Sequence, residues 1–142
     1  MRVSCALIES CNQVLIAQKG LETSLPSLWE FPGGKIEPHE SPEACIIREI
    51  NEELGVKIKT LELLPITTYN YPDFSLELHP FRCQIIEGNP RPIEHLQIRW
   101  THPKQLKSLS FAPGDIETLN HYLHFFIHRP QDHSEGGLSC TD

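Results

Sequence analysis

Apolar positions along this chain follow two different periods. Residues 3–8 are apolar and β-branched but alternate poorly. After Cys11-Asn12-Gln13 the same composition returns at 14–17, which predicts a hairpin. A polar loop containing Pro26 covers residues 20–27. Trp29-Glu30-Phe31 then forms a short strand that ends at Pro32-Gly33-Gly34, where the chain is expected to turn sharply. From residue 41 the period becomes helical. Ile46, Ile50 and Leu54 recur every four residues, with Ile47 beside them, as one core-facing stripe. Ser41 suits the N-cap, Pro42 the first helical position, Glu43 the first turn and Gly55 the C′ position. Residues 56–64 and 74–86 read as strands, with a turn at 69–73 between extended pieces. A loop rich in proline covers 87–92, and 95–100 is a further strand. A short helix starts at Pro103. The last helix runs from about residue 114 to 128, burying Ile116, Leu119, Leu123, Phe126 and Ile127. The polar tail from Arg129 reads as disordered, so the pattern predicts one domain over 1–128 and a tail over 129–142. Strands interleaved with helices, and no internal repeat, make this an α+β chain with a mixed sheet flanked by helices.

Composition narrows the class. The chain has 142 residues, 39% hydrophobic and 22% charged, which suits one soluble globular domain. No apolar run approaches the roughly 18 residues that a membrane span needs, and the first residues lack a signal-peptide layout. Cys5, Cys11, Cys45, Cys83 and Cys140 are odd in number and lack CxxC spacing. That argues against a disulfide framework or a zinc site and fits a reducing cytoplasm. The net charge of −7 repels a polyanionic duplex, so duplex nucleic acid is not an expected partner. A phosphate-bearing ligand would need a divalent cation to bridge it to so acidic a protein.

Glu49, Glu52 and Glu53 stand at i, i+3 and i+4, on one helical face read as opposite the apolar stripe. Such carboxylates repel one another, and hard oxygen donors at that density are what Mg²⁺ or Mn²⁺ prefers. Arg48 lies four residues before Glu52 and is placed to pair with it. Gly33-Gly34 lets backbone carbonyls approach a ligand, and Glu40 adds a carboxylate near the helix start. A charge run of this kind is most often only a solvated face. The spacing decides otherwise: Gly34, five residues, Glu40, seven residues, then Arg48-Glu49-Ile50-Asn51-Glu52-Glu53-Leu54-Gly55-Val56. This resembles the complete Nudix box, with every fixed position present. A chance match at a given start is rarer than about one in 10⁸ on background residue usage.

The resemblance implies a Nudix-type α/β/α sandwich and metal-assisted attack of water on a phosphorus of a nucleoside diphosphate linked to another group. It implies that Glu49, Glu52 and Glu53 bind Mg²⁺, with Mn²⁺ as a possible substitute, and that the Gly33 or Gly34 carbonyl is a further ligand. Arg48, Glu40 and Gly55 would orient and support the helix. The run Leu28-Trp29-Glu30-Phe31-Pro32-Gly33-Gly34-Lys35-Ile36-Glu37 resembles the MutT-type branch, and weaker similarity extends from Met1 to about Tyr122. There Glu94, six residues before Trp100, matches a distal carboxylate that joins the metal site or acts as base. The alternative for Glu94 is a plain loop glutamate. Asp115, in Phe111-Ala112-Pro113-Gly114-Asp115, matches a residue that reads the base edge, against the alternative of a helix cap. Lys19 stands where the branch often carries an arginine for the phosphates, and Lys35 is a second candidate. Trp29 and Phe74 could stack on a base, whereas Phe81 suits the core. His121, His124 and His128 share a helix face that could bind a transition metal but more often is simply solvated.

The implied reaction releases nucleoside monophosphate and pyrophosphate from a nucleoside triphosphate, foremost an oxidised one such as 8-oxo-dGTP. The runner-up is a CTP- or 5-methyl-dCTP-preferring enzyme, to which Glu94-His95 and residues 109–115 are similar. A catalytically silent nucleotide sensor would lack some helix carboxylates, and an RNA-decapping enzyme would carry a basic patch. Monomer and homodimer are both compatible with the sequence.

Overall fold

Both faces of β1 (Arg2–Ser10) are buried, which is why its sequence does not alternate polar with apolar. Cys5 and Leu7 face one core with Leu119 and Tyr122, whereas Ala6 and Ile8 face another with Ile46, Ile50 and Leu54. The computed structural model describes residues 1–20 and 27–128. The tail expected at 129–142 and most of the loop at 20–27 lie outside the described residues.

β2 (Gln13–Gln18) returns antiparallel to β1 through Cys11 and Asn12, both at positive φ, which a tight two-residue hairpin turn requires. β3 (Trp29–Glu30) pairs with β2, and β4 (Gly33–Lys35) pairs antiparallel with β1. The chain therefore does not turn sharply at Pro32-Gly33-Gly34, as expected, but continues extended, with the Pro32 carbonyl accepting from Ala6 N–H at 2.8 Å. After α1 (Pro42–Leu54) come β5 (Lys57–Leu63), β6 (Thr67–Asn70), β7 (Ser75–Glu87) and β8 (Gln97–Thr101). β6 falls partly where a turn was expected, because Thr67 to Asn70 pair in register with Leu78 to Ser75. β8 begins two residues later than expected.

The strands form one eight-stranded sheet in the order β3-β2-β1-β7-β5, with β4 on β1, β6 on β7 and β8 on β2. β1 and β7 run parallel while the other pairs are antiparallel, so the sheet is mixed and the chain is α+β. α1 covers one face. On the other lie a 3₁₀ turn at Pro103–Ser108, a second at Pro113–Asp115 and α2 (Ile116–His128). α2 buries Thr118, Leu119 and Tyr122, whereas Ile116 and Ile127, expected inside, are exposed. Polar atoms with partners account for the difference. Tyr122 Oη donates to Glu9 at 2.7 Å, and the Thr118 hydroxyl lies 3.5 Å from that of Thr67. Ile47, expected beside the core stripe of α1, is likewise exposed.

Cys5, Cys45 and Cys83 are buried free thiols. Among the described residues no helix is long and apolar enough to cross a membrane.

Candidate active site

α1 is capped at both ends by local chemistry. Ser41 Oγ accepts from Ala44 N–H at 3.0 Å, and Gly55, at φ 72°, gives its N–H to the Asn51 carbonyl at 3.0 Å. On this helix Arg48 spans the motif. Its Nε and Nη2 grip both oxygens of Glu40, at 2.6 and 2.8 Å, while Nη1 reaches Glu49 Oε1 at 2.9 Å and Glu52 Oε2 at 3.3 Å. The pairing with Glu52 was foreseen, but the bidentate hold on Glu40 is tighter. It holds the Glu40 carboxyl down to about 2, chiefly through the Arg48 hydrogen bond.

The glycines also make room for their neighbours. A Cβ on Gly34 would fall on the Glu49 carboxylate, and one on Gly33 would strike the backbone of Ser4 in β1. Gly34 clears room for Glu49, and Gly33 lets two strands meet.

Glu53 is not on a solvated face opposite the core, as its helical position had suggested. It stands three residues from Ile50, flanks the apolar stripe and is 5% exposed. Its Oε2 is buried with no hydrogen-bond partner. Burial first, then the charges of Glu49, Glu30, Glu94 and Glu52, push its carboxyl up to about 9. The loop before β8 docks on the end of this helix. Arg91 N–H donates to the Leu54 carbonyl at 2.9 Å and Ile93 N–H to that of Glu53 at 3.1 Å. Exposed Glu94 is thereby brought near Glu53, and His95 Nε2 comes 3.8 Å from Glu53 Oε1.

Next to this cluster opens a cavity of about 390 Å³ whose wall includes Lys19, Glu30, Gly33, Tyr71, Phe74 and Asp115. Asp115 does not cap α2. Its Oδ2 accepts from Phe31 N–H at 2.9 Å, across 84 residues of sequence, and burial, aided by the charge of Glu30, pushes it up to about 7. Phe74 is 43% exposed and stacks on Tyr71 at 5.0 Å between ring centroids, while Tyr71 Oη accepts from Gly114 N–H at 2.9 Å. Lys19 is on the wall but tied to Glu30 at 3.1 Å. Lys35 is exposed and does not line this cavity. Trp29 is in the core under the Arg99 guanidinium, 4.7 Å from the ring centroid, and is also absent from the wall, so it offers no platform for a base there. Phe81 is in the core as expected.

Sequence reasoning assigned no role to Glu30, His95 or Tyr71. The signal for Glu30 was an acid between two aromatic residues in a short strand, a position that buries a charge. Nothing local marks the other two.

A divalent cation fits these residues on donor chemistry, since the oxygens are hard and Glu53 Oε2 is an orphaned buried acceptor. Arg48 draws Glu49 and Glu52 to itself, and among the described residues no three His, Cys, Asp or Glu side chains are gathered as a metal cage. The His124 and His128 rings lie 4.3 Å apart beside a separate cavity that His121 also lines.

The chain is similar to known proteins in both sequence and fold. A NUDIX domain profile matches residues 3–121. A CTP pyrophosphohydrolase from Escherichia coli is 30% identical over 132 residues, 93% of this chain and 98% of its own. An 8-oxo-dGTP diphosphatase from the same species is 30% identical over 104 residues, 73% of this chain and 81% of its own. The solution structure of the Escherichia coli ORF135 protein superposes with a TM-score of 0.79 at 30% identity, covering 92% of this chain and 94% of that one.

Proposed function

Since the chain belongs to the NUDIX-domain family and is a hydrolase of nucleotide phosphoanhydrides, we propose that it converts a nucleoside triphosphate to the monophosphate and pyrophosphate, sanitising oxidised nucleotides such as 8-oxo-dGTP. The observation that carries this reading is a buried carboxylate, Glu53, whose Oε2 has no hydrogen-bond partner, on a helix beside a cavity large enough for a nucleotide base. Nudix hydrolases use divalent cations, and we assign Mg²⁺ here, with Mn²⁺ as a substitute. Glu49, Glu52, Glu53, Glu94 and the Gly33 or Gly34 carbonyl would hold it. When bound, the cation supplies charge neutralisation at the phosphates and lowers the pKa of an attacking water.

The chain's own side chains do the positioning. Arg48, anchored on Glu40, holds Glu49 and Glu52 at the phosphate end. Lys19 contacts the phosphates, and Lys35 is the second cation in reach of the helix. Phe74, backed by Tyr71, stacks on the base, and Asp115 meets its polar edge. The setting we infer is the cytoplasm, where nucleoside triphosphates are consumed, with the protein as monomer or homodimer and the whole activity within residues 1–128.

A cytosine preference is favoured by one observation: the CTP pyrophosphohydrolase aligns over 132 residues and the 8-oxo-dGTP enzyme over 104. Pyrophosphate release with Mg²⁺ across 8-oxo-dGTP, dGTP, CTP, dCTP and 5-methyl-dCTP separates the two. A kcat/KM preference for 8-oxo-dGTP over dGTP supports the first, and preference for the cytosine set moves the enzyme to the second. Glu53→Gln should lower kcat by at least about 100-fold with the fold intact. Absence of release from every substrate with either metal would refute the assignment and favour a nucleotide sensor.

A further inference from the structure

One buried side chain stands between the cavity and the acidic helix without a role in the chemistry above. The side chain of His95 is 6% exposed, and its Nε2 lies 2.9 Å from Glu30 Oε2 and 3.8 Å from Glu53 Oε1. Through its other oxygen Glu30 reaches Lys19 at 3.1 Å, and both line the cavity. Backbone bonds pin the loop on either side of the ring: Ile93 N–H to the Glu53 carbonyl at 3.1 Å, and Leu96 N–H to that of Gln18 at 3.0 Å. The imidazole therefore bridges two walls, one made by the strands and one by α1.

The hydrogen-bond chemistry at the ring is selective. An ionised carboxylate only accepts, so the nitrogen facing Glu30 at 2.9 Å carries the proton. One N–H serves one acceptor well, and 3.8 Å is beyond hydrogen-bonding distance. Glu30 thus takes the bond, while Glu53 Oε1 is confined by a polar ring edge and the lone pairs of Oε2 are left free. A carboxylate that must bind a cation needs that combination of fixed orientation and open acceptors. A residue that only filled space would satisfy neither requirement, and His95 Nδ1 itself has no partner.

We propose that His95 is a positioning residue: its Nε2–H fixes Glu30 on the cavity wall and its ring edge fixes Glu53 on the helix, keeping the nucleotide pocket and the cation-binding carboxylates at one spacing. The proposal deepens the pyrophosphohydrolase reading of the same site and rests on it.

Three variants test it by reach rather than by volume. The glutamine amide nitrogen extends as far as imidazole Nε2, the asparagine amide stops at Nδ1, and leucine donates nothing. Mn²⁺ affinity without nucleotide, read by electron paramagnetic resonance, is compared with kcat and KM and with thermal melts. His95→Leu and His95→Asn should weaken Mn²⁺ binding and lower kcat by about 10- to 100-fold, while His95→Gln stays within about threefold of the wild type. If leucine prevents folding, the contrast between asparagine and glutamine still decides. The proposal is overturned if all variants match the wild type, or if glutamine falls as far as asparagine. A wild type that binds Mn²⁺ but hydrolyses no nucleoside triphosphate would sink the proposed function and leave His95 to be judged on metal affinity. One that binds no Mn²⁺ overturns both.

Discussion

Burial pushes the carboxyls of Glu53 and Asp115 in the same direction, but their surroundings differ. Glu53 Oε2 has no partner and other acids near it, whereas Asp115 accepts a backbone N–H from Phe31 and has Lys19 nearby. The folded value for Asp115, about 7, lies above the unfolded value of 3.8. Through that window the folded protein keeps a proton that the unfolded chain has already released. The stability it contributes is complete below the unfolded value and is lost as pH rises through the folded one. Asp115→Asn keeps an acceptor for Phe31 N–H and carries no charge. It should therefore gain on the wild type by roughly 2–4 kcal/mol between acid and mildly alkaline pH. Melting curves of both proteins at pH 5 and pH 8 check this, and a pH-independent difference would mean the carboxyl is not held in a dry site.

At the scale of the element, α1 works as a ruler whose two ends are set by caps and whose middle is set by Arg48. The ion pairs of this arginine lie at the surface, so their energetic worth is small, and their use is in aiming Glu49 and Glu52. β4 must let that face come close, and its two glycines do so for separate reasons. In Gly34→Ala the atoms nearest the new methyl group belong to the movable Glu49 carboxylate, so the fold should survive while the site is displaced. A shift on the order of 1 Å costs about 100-fold in kcat/KM. In Gly33→Ala it meets the Ser4 backbone, β1 and β4 must part, and the loss should appear first in the melting temperature. Circular dichroism melts beside kinetics distinguish the pair. Equal behaviour of the two variants would refute the division of labour.

The whole molecule places mutually repelling carboxylates at the end of a sheet whose two faces are already closed by α1 and α2. A cation that binds only the folded protein stabilises it by mass action, about 2.7 kcal/mol at a hundredfold excess over its Kd. Mg²⁺ should therefore raise the melting temperature of the wild type, chelation should lower it, and the increment should shrink in Glu53→Gln. Calorimetry with and without Mg²⁺ measures this, and an undiminished increment in the variant would place the cation elsewhere. The same contrast of scales separates what was legible in the chain from what was not. Ser41, Pro42, Gly55 and the Arg48–Glu52 pair interact within a few residues, so α1, its caps and the acidic motif could be read directly. β1 and β7 were also readable as strands, because runs of apolar residues need two covered faces wherever they pair. Local pattern misplaced Glu53, since its helix position says nothing of which strands lie across from it. It put Ile116 and Ile127 inside and overlooked Thr118 and Tyr122, whose hydroxyls find partners only after folding. Trp29 could have been platform or core, and the stacking of Arg99 from β8 decided it. The sequence by itself determined the α+β class, the helix and the clustering of its carboxylates, because those depend on neighbours along the chain. Only the tertiary structure decided that Asp115 meets Phe31 and that His95 stands between Glu30 and Glu53. Desolvation and hydrogen-bond partners are properties of residues brought together across the fold.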